Sequence, residues 1–228
     1  MSDVDFSPPA PSQNALGTQI AAPVRKRPKP GERRVQILQV LASMLEQPGA
    51  ERVTTAALAA RLDVSEAALY RHFASKAQMF EGLIDFIEQT VFSLVNQIAE
   101  REVSVTQAEH GPDQQAGPRQ AAKIVLMLVQ FAERNPGMTR VMVGDALVFE
   151  NERLQQRMNQ FFDKIEASFK QSLRGFAAAT GSATPTVDTQ VRASVLTAFV
   201  VGRLQRFARS GFKRLPSEHI EASLALIL

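Results

Sequence analysis

The stretch "TTAALAARLDVSEAALYRHFASK", residues 54–76, decides the fold. Hydroxyl side chains stand before each of its two short alanine-rich runs, Thr54 or Thr55 before the first and Ser65 before the second, and such residues favour helix N-termini. Asp63–Val64 leave room for only a tight break between the runs. Two short helices joined by a tight turn are typical of a helix-turn-helix, whose second helix enters the major groove of DNA.

The second run presents different residues on its two sides. At 100° per residue, Leu69 and Phe73 fall on one side and are predicted to anchor the helix to a core. Ala67 and Arg71 fall on the other side. Small alanines there would let the backbone approach base edges, and Arg71 could donate hydrogen bonds to guanine or phosphate. The pattern therefore predicts a helix that reads DNA.

We predict that DNA is contacted by the helix starts, by the outer face of the second run and by the adjoining basic residues. For any one such residue, a simple helix cap or a solvated side chain is the plainer interpretation, but the combination at this spacing favours DNA binding. The predicted contacts are Arg33, Arg34, Thr54, Thr55, Ser65, Ala67, Ala68, Tyr70, Arg71, His72 and Lys76.

The amino-acid composition excludes several other classes of function. The 228 residues include no cysteine, which excludes disulfides, thiol catalysis and cysteine-ligated metal and fits a reducing cytoplasm. The three histidines are scattered, no run is long and apolar enough to span a membrane, and the first residues do not resemble a secretory signal. No phosphate loop or paired nucleophile is apparent. We therefore expect a soluble cytoplasmic protein that is not an enzyme and needs no metal or cofactor.

Proline content and apolar periodicity divide the chain into three parts. Residues 1–31 hold six of the twelve prolines and are predicted to be disordered. The block "VRKRPKPGERR", from Val24 to Arg34, spans the end of this tail and holds six basic residues and one acidic residue. Residues 32–74 are predicted to form a three-helix DNA-binding head, and residues 75–228 a larger helical body for dimerisation and partner binding. The predicted fold is all-α with about nine helices.

Within these parts, the element boundaries follow prolines, glycines and apolar spacing. The first helix is predicted over 32–47, with Pro48 and Gly49 ending it. Its apolar stripe comprises Val35, Leu38, Leu41, Ala42 and Leu45. A long helix is predicted from about residue 76 to 100, followed by a loop over 103–118, which lacks apolar periodicity. The remaining helices are predicted at about 119–135, 137–147, 150–178, 187–210 and 217–228.

The quoted stretch resembles the DNA-binding head of TetR-type regulators, and the resemblance covers residues 33–80. A closer resemblance, to the SlmA family of nucleoid occlusion factors, extends over most of residues 33–170 through "FAERNPGMTRVM" and "ALVFENERLQQRMNQFFDKIEA". It implies a homodimer that binds palindromic double-stranded DNA at the nucleoid and antagonises assembly of FtsZ, the tubulin-like division protein. The N-terminal tail and the 103–118 segment depart from that family.

The resemblance also implies where FtsZ binds, because its tail docks in the family between the long helix and the next one. Phe86, Arg134 and Asn135 fall at matching motif positions. From the residues alone, Phe86 and Phe92 lie off the apolar stripe of the long helix, which fits either exposed partner anchors or cover by another helix. Arg134 suits an acidic, extended segment.

The last long helix is apolar over more than half of its circumference, which favours a core position or a subunit interface. The apolar residues are Val195, Leu196, Phe199, Val200, Val201, Leu204 and Phe207. A transcriptional repressor released by a small-molecule effector stays open as the alternative function. Bodies of the TetR type usually carry an apolar effector pocket, and periodicity does not show whether this body is hollow.

Overall fold

The computed structural model describes residues 31–47, 53–108 and 113–228, and this part of the chain is helical, without a strand. The predicted tail before Gly31, the helix stop at Pro48 and Gly49, and Gly111 and Pro112 of the predicted loop lie outside these residues. The helices are α1 Glu32–Leu45, α2 Thr55–Arg61, α3 Glu66–Tyr70, α4 Lys76–Ala108, α5 Ala116–Arg134, α6 Pro136–Met142, α7 Glu152–Ala179, α8 Pro185–Arg209 and α9 Ile220–Ile227. The all-α prediction is confirmed.

Side-chain caps begin α2 and α3 as predicted, and a third cap begins α4. Thr54, Ser65 and Ser75 each accept, through the hydroxyl oxygen, a hydrogen bond from the backbone N–H three residues ahead, at 3.2, 3.3 and 3.2 Å. Asp63 adopts the left-handed conformation (φ 55°), which short polar residues tolerate better than most. This residue therefore makes the tight break between α2 and α3.

The buried stripe of α1 differs from the predicted one at its beginning. Ile37, Leu41 and Leu45 are buried at i, i+4 and i+8, whereas Val35 is 50% exposed. Two residues turn the helix by 200°, so Val35 points about 160° away from Ile37 and cannot share its face. Head and body nevertheless form one continuous apolar core, in which these α1 residues belong to the same cluster as those of α4, α5 and α7.

The α4–α5 connection is shorter than the predicted loop over 103–118. Helix α4 continues to Ala108 and α5 already begins at Ala116. Glu102, 3% exposed, receives hydrogen bonds from Arg119 (Nε to Oε2, 3.0 Å) and Lys123 of α5, so a charge cluster holds the end of α4 where apolar periodicity is missing. Pro118 is the third residue of α5, a position whose N–H would have no partner within the helix, and it therefore does not interrupt α5.

The body is assembled around α5, which packs against α4, α6, α7 and α8, and α7 runs along α8. Helix α7 buries Leu154, Met158, Phe161, Ile165 and Phe169 at spacings of three and four residues. Of the helices in the described ranges, none combines the length and low charge that crossing a bilayer would need.

Candidate nucleic-acid interface

Helix α3 has one buried side and one exposed side. Leu69 and Phe73 are each 1% exposed and join the core, which confirms the predicted anchoring. Ala67, Tyr70 and Arg71 face solvent. Because α3 spans only five residues and Arg71 occupies its C-cap, the outer surface consists of a single helical turn and the residues directly after it. This surface is small enough to fit within a major groove.

Arg34 holds the end of α3 in place. Its Nη1 donates a hydrogen bond to the carbonyl oxygen of His72 at 2.8 Å, and its guanidinium lies 4.1 Å from the centre of the Phe73 ring. Arg33, its neighbour, donates to Gln36 at 2.6 Å. Arg34 is predicted to contact DNA, and the structure shows an internal role for it that no local pattern signals.

The two hydroxyl residues at the start of α2 have different surroundings. Thr54 is exposed and caps the helix, whereas the Thr55 hydroxyl donates a 2.6 Å hydrogen bond to Glu66 Oε2 at the start of α3. Thr55 thereby ties the two helices of the motif together. Thr54 is the more exposed of the two and lies beside the α2 N-terminus.

Lys76, predicted to contact phosphate, forms an ion pair with the body just after the head. Its Nζ lies 2.5 Å from Glu150 Oε1, and 5.7 Å from the centre of the Phe80 ring. The Glu150 side chain is 10% exposed and that of Lys76 is 30% exposed, so the pair is partly shielded from water. Sequence reasoning missed Glu150, because 74 positions separate it from its partner.

The three residues predicted to bind a protein partner lie at two places beside α1. Phe86 is 45% exposed on α4, whereas the ring of Phe92 is covered by Phe161 at a centroid distance of 5.6 Å. Arg134 is exposed at the end of α5, and Asn135 follows it, donating from Nδ2 to the Phe131 carbonyl oxygen at 2.8 Å. Phe86 and the Arg134–Asn135 pair thus stand on different helices.

Helix α1 connects these two places. A Cβ at Gly82, one turn before Phe86, would lie 3.4 Å from the side chain of Leu38. A Cβ at Gly137, two residues after Asn135, would lie only 1.9 Å from the backbone oxygen of Ala42. Leu38 and Ala42 are one turn apart on α1, so both parts of the predicted partner site flank the same helix.

Surface grooves follow the body, and one lies between α4 and α5 with a volume of about 250 Å³. Its lining residues are Ile98, Arg101, Lys123, Leu126, Met127 and Gln130. Lys123 is also a partner of Glu102. Burial alone would raise the pKa of Glu102, but the hydrogen bonds from Lys123 and Arg119, together with their charges, outweigh burial and lower that pKa below its ordinary 4.5. The groove therefore has an apolar floor and a cationic rim.

Two larger grooves, of about 640 and 710 Å³, run along α8 and α9. The second is bordered by apolar side chains that face solvent, among them Val191, Val195 and Leu226. The apolar circumference predicted for α8 is thus divided between the core, which takes Leu196 and Val200, and the surface. Across the described ranges, no group of three or more histidine, aspartate and glutamate side chains has the arrangement to hold a metal ion.

Comparison with known proteins assigns both halves of the chain. Residues 37–83 match the family "Bacterial regulatory proteins, tetR family", and residues 119–228 match "Tetracyclin repressor-like, C-terminal domain". The solved structures of similar fold include the fatty acid degradation regulator FadR from Bacillus halodurans (TM-score 0.62, 14% identity, 88% of this chain and 96% of that one). FadR from Bacillus subtilis in complex with stearoyl-CoA is another (TM-score 0.60, 12% identity, 85% and 96%). These likenesses concern the fold alone.

Curated relatives are much more similar in sequence. A nucleoid occlusion factor SlmA from Aliivibrio fischeri is 48% identical over 201 residues, covering 88% of this chain and 96% of the relative. SlmA from Idiomarina loihiensis is 48% identical over 190 residues (83% and 90%), and that from Vibrio cholerae 47% over 196 residues (86% and 93%). With this identity over nearly the whole length of these relatives, the chain belongs to the SlmA family of nucleoid occlusion factors, within the TetR-type helix-turn-helix regulators.

Proposed function

We propose that this protein is a nucleoid occlusion factor, which binds chromosomal DNA sites and, while bound, antagonises assembly of FtsZ over the nucleoid. The observation that carries the proposal is the 48% identity, over 88% of the chain, to a curated nucleoid occlusion factor. An exposed reading surface on α3 and a separate exposed partner surface beside α1 support the two halves of this function. The protein acts as a regulator rather than an enzyme, in the cytoplasm at the nucleoid, without a cofactor.

On the DNA side, α3 would lie in the major groove with Ala67 and Ala68 closest to the base edges and Arg71 able to donate to guanine. Tyr70, 46% exposed, and His72 would reach phosphates. Further phosphate contacts would come from Arg33, Arg34, Thr54, Thr55, Ser65 and Lys76. Of these, Thr54 is exposed at the start of α2, where backbone N–H groups favour an anion.

A homodimer would let two such heads read the two halves of a palindrome. The exposed apolar side chains along α8 and α9 support an interface there, since a contiguous apolar surface is costly to leave in water. These side chains are Val187, Val191, Val195 and Leu226. In this proposal residues 32–74 serve as the DNA-binding unit and residues 75–228 as the dimerisation and partner-binding unit.

On the partner side, the FtsZ tail would dock between α4 and α5, with Phe86 as an apolar anchor and Arg134 and Asn135 as polar contacts. The α4–α5 groove does not include these three residues, since Ile98 lies twelve residues, or about 18 Å, beyond Phe86 along α4. Its apolar floor and the cations Arg101 and Lys123 would suit a continuation of the same peptide that carries both apolar and acidic side chains.

Light scattering by FtsZ polymers, with this protein and with or without its cognate DNA, tests the function. We expect loss of scattering only when both are present. The variants T54A, Y70A and K76A should bind DNA more weakly in a gel shift at fixed salt while remaining folded dimers. F86A and R134A should bind DNA normally and leave the polymers intact. Polymers that persist with wild-type protein and saturating DNA would refute the division role.

A ligand-released transcriptional repressor remains the second candidate, because the same fold is found in FadR with stearoyl-CoA. The three grooves described above are open at the surface. Release of bound DNA by a small apolar ligand, without an effect of the protein on FtsZ, would decide for the repressor.

A further inference from the structure

Basic side chains gather at the end of the body where α5, α6 and α8 terminate. We call this surface the basic end and define it by Arg134, Arg206, Arg209, Lys213 and Arg214. Two contacts show that these segments lie together. The Ser217 N–H donates to Glu133 Oε1 at 3.0 Å, and the Arg140 guanidinium lies 5.1 Å from the centre of the Phe212 ring.

The turn that carries part of this surface is ordered by the chain itself. The Ser210 hydroxyl oxygen accepts hydrogen bonds from the backbone N–H groups of Lys213 (3.1 Å) and Arg214 (2.9 Å). Phe212 stacks edge-on against Phe207 at 5.2 Å between ring centres. The two cations are therefore presented from a fixed backbone, which lowers the entropic cost of binding a partner.

Many cations of the body are paired with acids, whereas the basic end gathers cations that, within the part of the chain the structure describes, have no carboxylate partner. Lys76, Arg119, Lys123, Arg153, Arg157 and Lys164 each lie within 4.0 Å of a carboxylate oxygen. Over the described ranges, none of the five that define the basic end does so. Two acids lie beside the basic end, Glu133, which accepts the Ser217 N–H, and Glu218, which lines a groove together with Arg206. The five cations outnumber them. Like charges left together repel, so this surface favours an anion.

The basic end lies away from the DNA that α3 would contact, so that DNA is not its expected partner. The start of α1 holds α3 through Arg34, whereas Ala42, eight residues later, lies against α6. Eight residues correspond to about 12 Å along a helix, so α6 lies that much farther along α1 from the reading surface. The basic end also includes Arg134, one of the residues of the proposed partner site.

We propose that the basic end binds an acidic, extended segment of the protein partner, continuing the partner site beyond Arg134 and Asn135. The inference rests on the proposed function, because that function supplies the partner. Arginine and lysine would pair with successive carboxylates of the segment, at exposed positions where each pair contributes little but several together set affinity, orientation and salt dependence. The grooved α4–α5 surface would take the apolar residues of the same segment.

Binding of a fluorescent FtsZ tail peptide to the full-length protein, followed by anisotropy, tests this inference. The double variant K213Q/R214Q should weaken binding about three- to tenfold at 50 mM salt. Most of that difference should disappear at 300 mM salt, because exposed pairs are screened. The control K170Q/R174Q removes the same charge from α7 and should bind like the wild type. A tail peptide with its acidic residues changed to amides should no longer distinguish the variants.

The outcomes separate this inference from the function on which it rests. If R134A abolishes tail binding while K213Q/R214Q binds like the wild type, the basic end is not part of the site, although the proposed function stands. Equal weakening of tail binding in K213Q/R214Q and K170Q/R174Q would show that only the overall charge of the protein matters. If K213Q/R214Q weakens DNA binding instead of tail binding, the basic end is a nucleic-acid surface. Either result overturns the inference. If the wild type does not bind the tail, the proposed function itself fails.

Discussion

At the scale of single residues, Lys76 occupies a position where two anions compete for it. Without DNA its ammonium pairs with Glu150, and on the proposed operator it would contact phosphate. The Glu150 carboxylate offsets the positive charge that this lysine would offer a phosphate, so we expect Glu150 to oppose DNA binding. The ion pair also joins the first residue of α4, directly after the head, to the segment that precedes α7.

Replacement of Glu150 by glutamine should therefore strengthen DNA binding. We expect the affinity for DNA, measured by gel shift at fixed salt, to rise about two- to fivefold. This is the size of effect expected from removing a partly exposed ion pair. In a K76Q background the same replacement should have no effect, because the competition has been removed. E152Q, an exposed residue with the same charge change, is the control. An equal gain in E152Q would reduce the effect to overall charge.

Several residues of the head could be predicted from the sequence, because their roles are local. Helical spacing places Leu69 and Phe73 on one side, and hydroxyl residues before alanine-rich runs identify the caps at Thr54 and Ser65. The roles of Arg34 and Glu150 could not be predicted. Each depends on contact with a residue 38 or 74 positions away, which periodicity and capping rules do not encode.

At the scale of helices, the crossing of α1 and α6 depends on Gly137. A Cβ there would lie 1.9 Å from the Ala42 carbonyl oxygen and 2.9 Å from its carbon, which are backbone atoms that cannot rotate away. The glycine therefore sets how closely the two helices approach. Its sequence context, just after Pro136, indicates a helix start but does not reveal the close crossing.

G137A should destabilise the protein, because the added methyl group would force α1 and α6 apart. We expect a loss of about 2–4 kcal/mol in the free energy of unfolding, at the upper end for overpacking. G175A is the matched control, since a Cβ at Gly175 within α7 meets no atom within 4 Å, and it should gain up to about 1 kcal/mol from helix propensity. Urea denaturation of both variants measures the difference. A G137A variant as stable as the wild type would mean that the crossing is looser than described.

The length of α4 shows a limit of sequence prediction at this scale. Its last turns lack apolar periodicity, a pattern that predicts a loop. In the structure the cluster of Glu102, Arg119 and Lys123 joins α4 to α5 instead. A charged residue can be buried only when oppositely charged partners lie close to it in space. The partners of Glu102 are 17 and 21 positions away in the sequence, so local patterns do not reveal them.

At the scale of the whole molecule, the same cluster makes stability depend on pH. The pKa of Glu102 is lowered from 4.5, since the hydrogen bonds and charges of Lys123 and Arg119 outweigh the opposing effect of burial. The pKa of Asp113 is lowered from 3.8, mainly by its hydrogen bond from Arg119. A depressed pKa means that the unfolded chain binds protons more readily. Both carboxylates therefore stabilise the fold at pH values above the pKa that they have in the unfolded chain. This contribution is lost as the pH falls through their lower pKa values in the folded protein.

E102Q should thus be less stable than the wild type at pH 7, by about 1 kcal/mol given the partly exposed cations, and the difference should shrink as pH falls below about 4.5. Unfolding in urea at a series of pH values measures it. E100Q, an exposed neighbour on α4, should follow the wild-type curve at every pH. A stability difference between E102Q and the wild type that does not vary with pH would exclude this linkage.

The placement of α1 has a consequence for protein engineering. Its first turn holds the reading helix through Arg34, and its second half lies directly against α6 at Gly137. A hybrid regulator that took only α2 and α3 from a different parent would keep the contact of α1 with α6 but lose the contact of Arg34 with the end of α3. To redirect such a protein to a new operator, α1 and α6 must be transplanted as a matched pair, or the exchange must be limited to the solvent-facing side chains of α3.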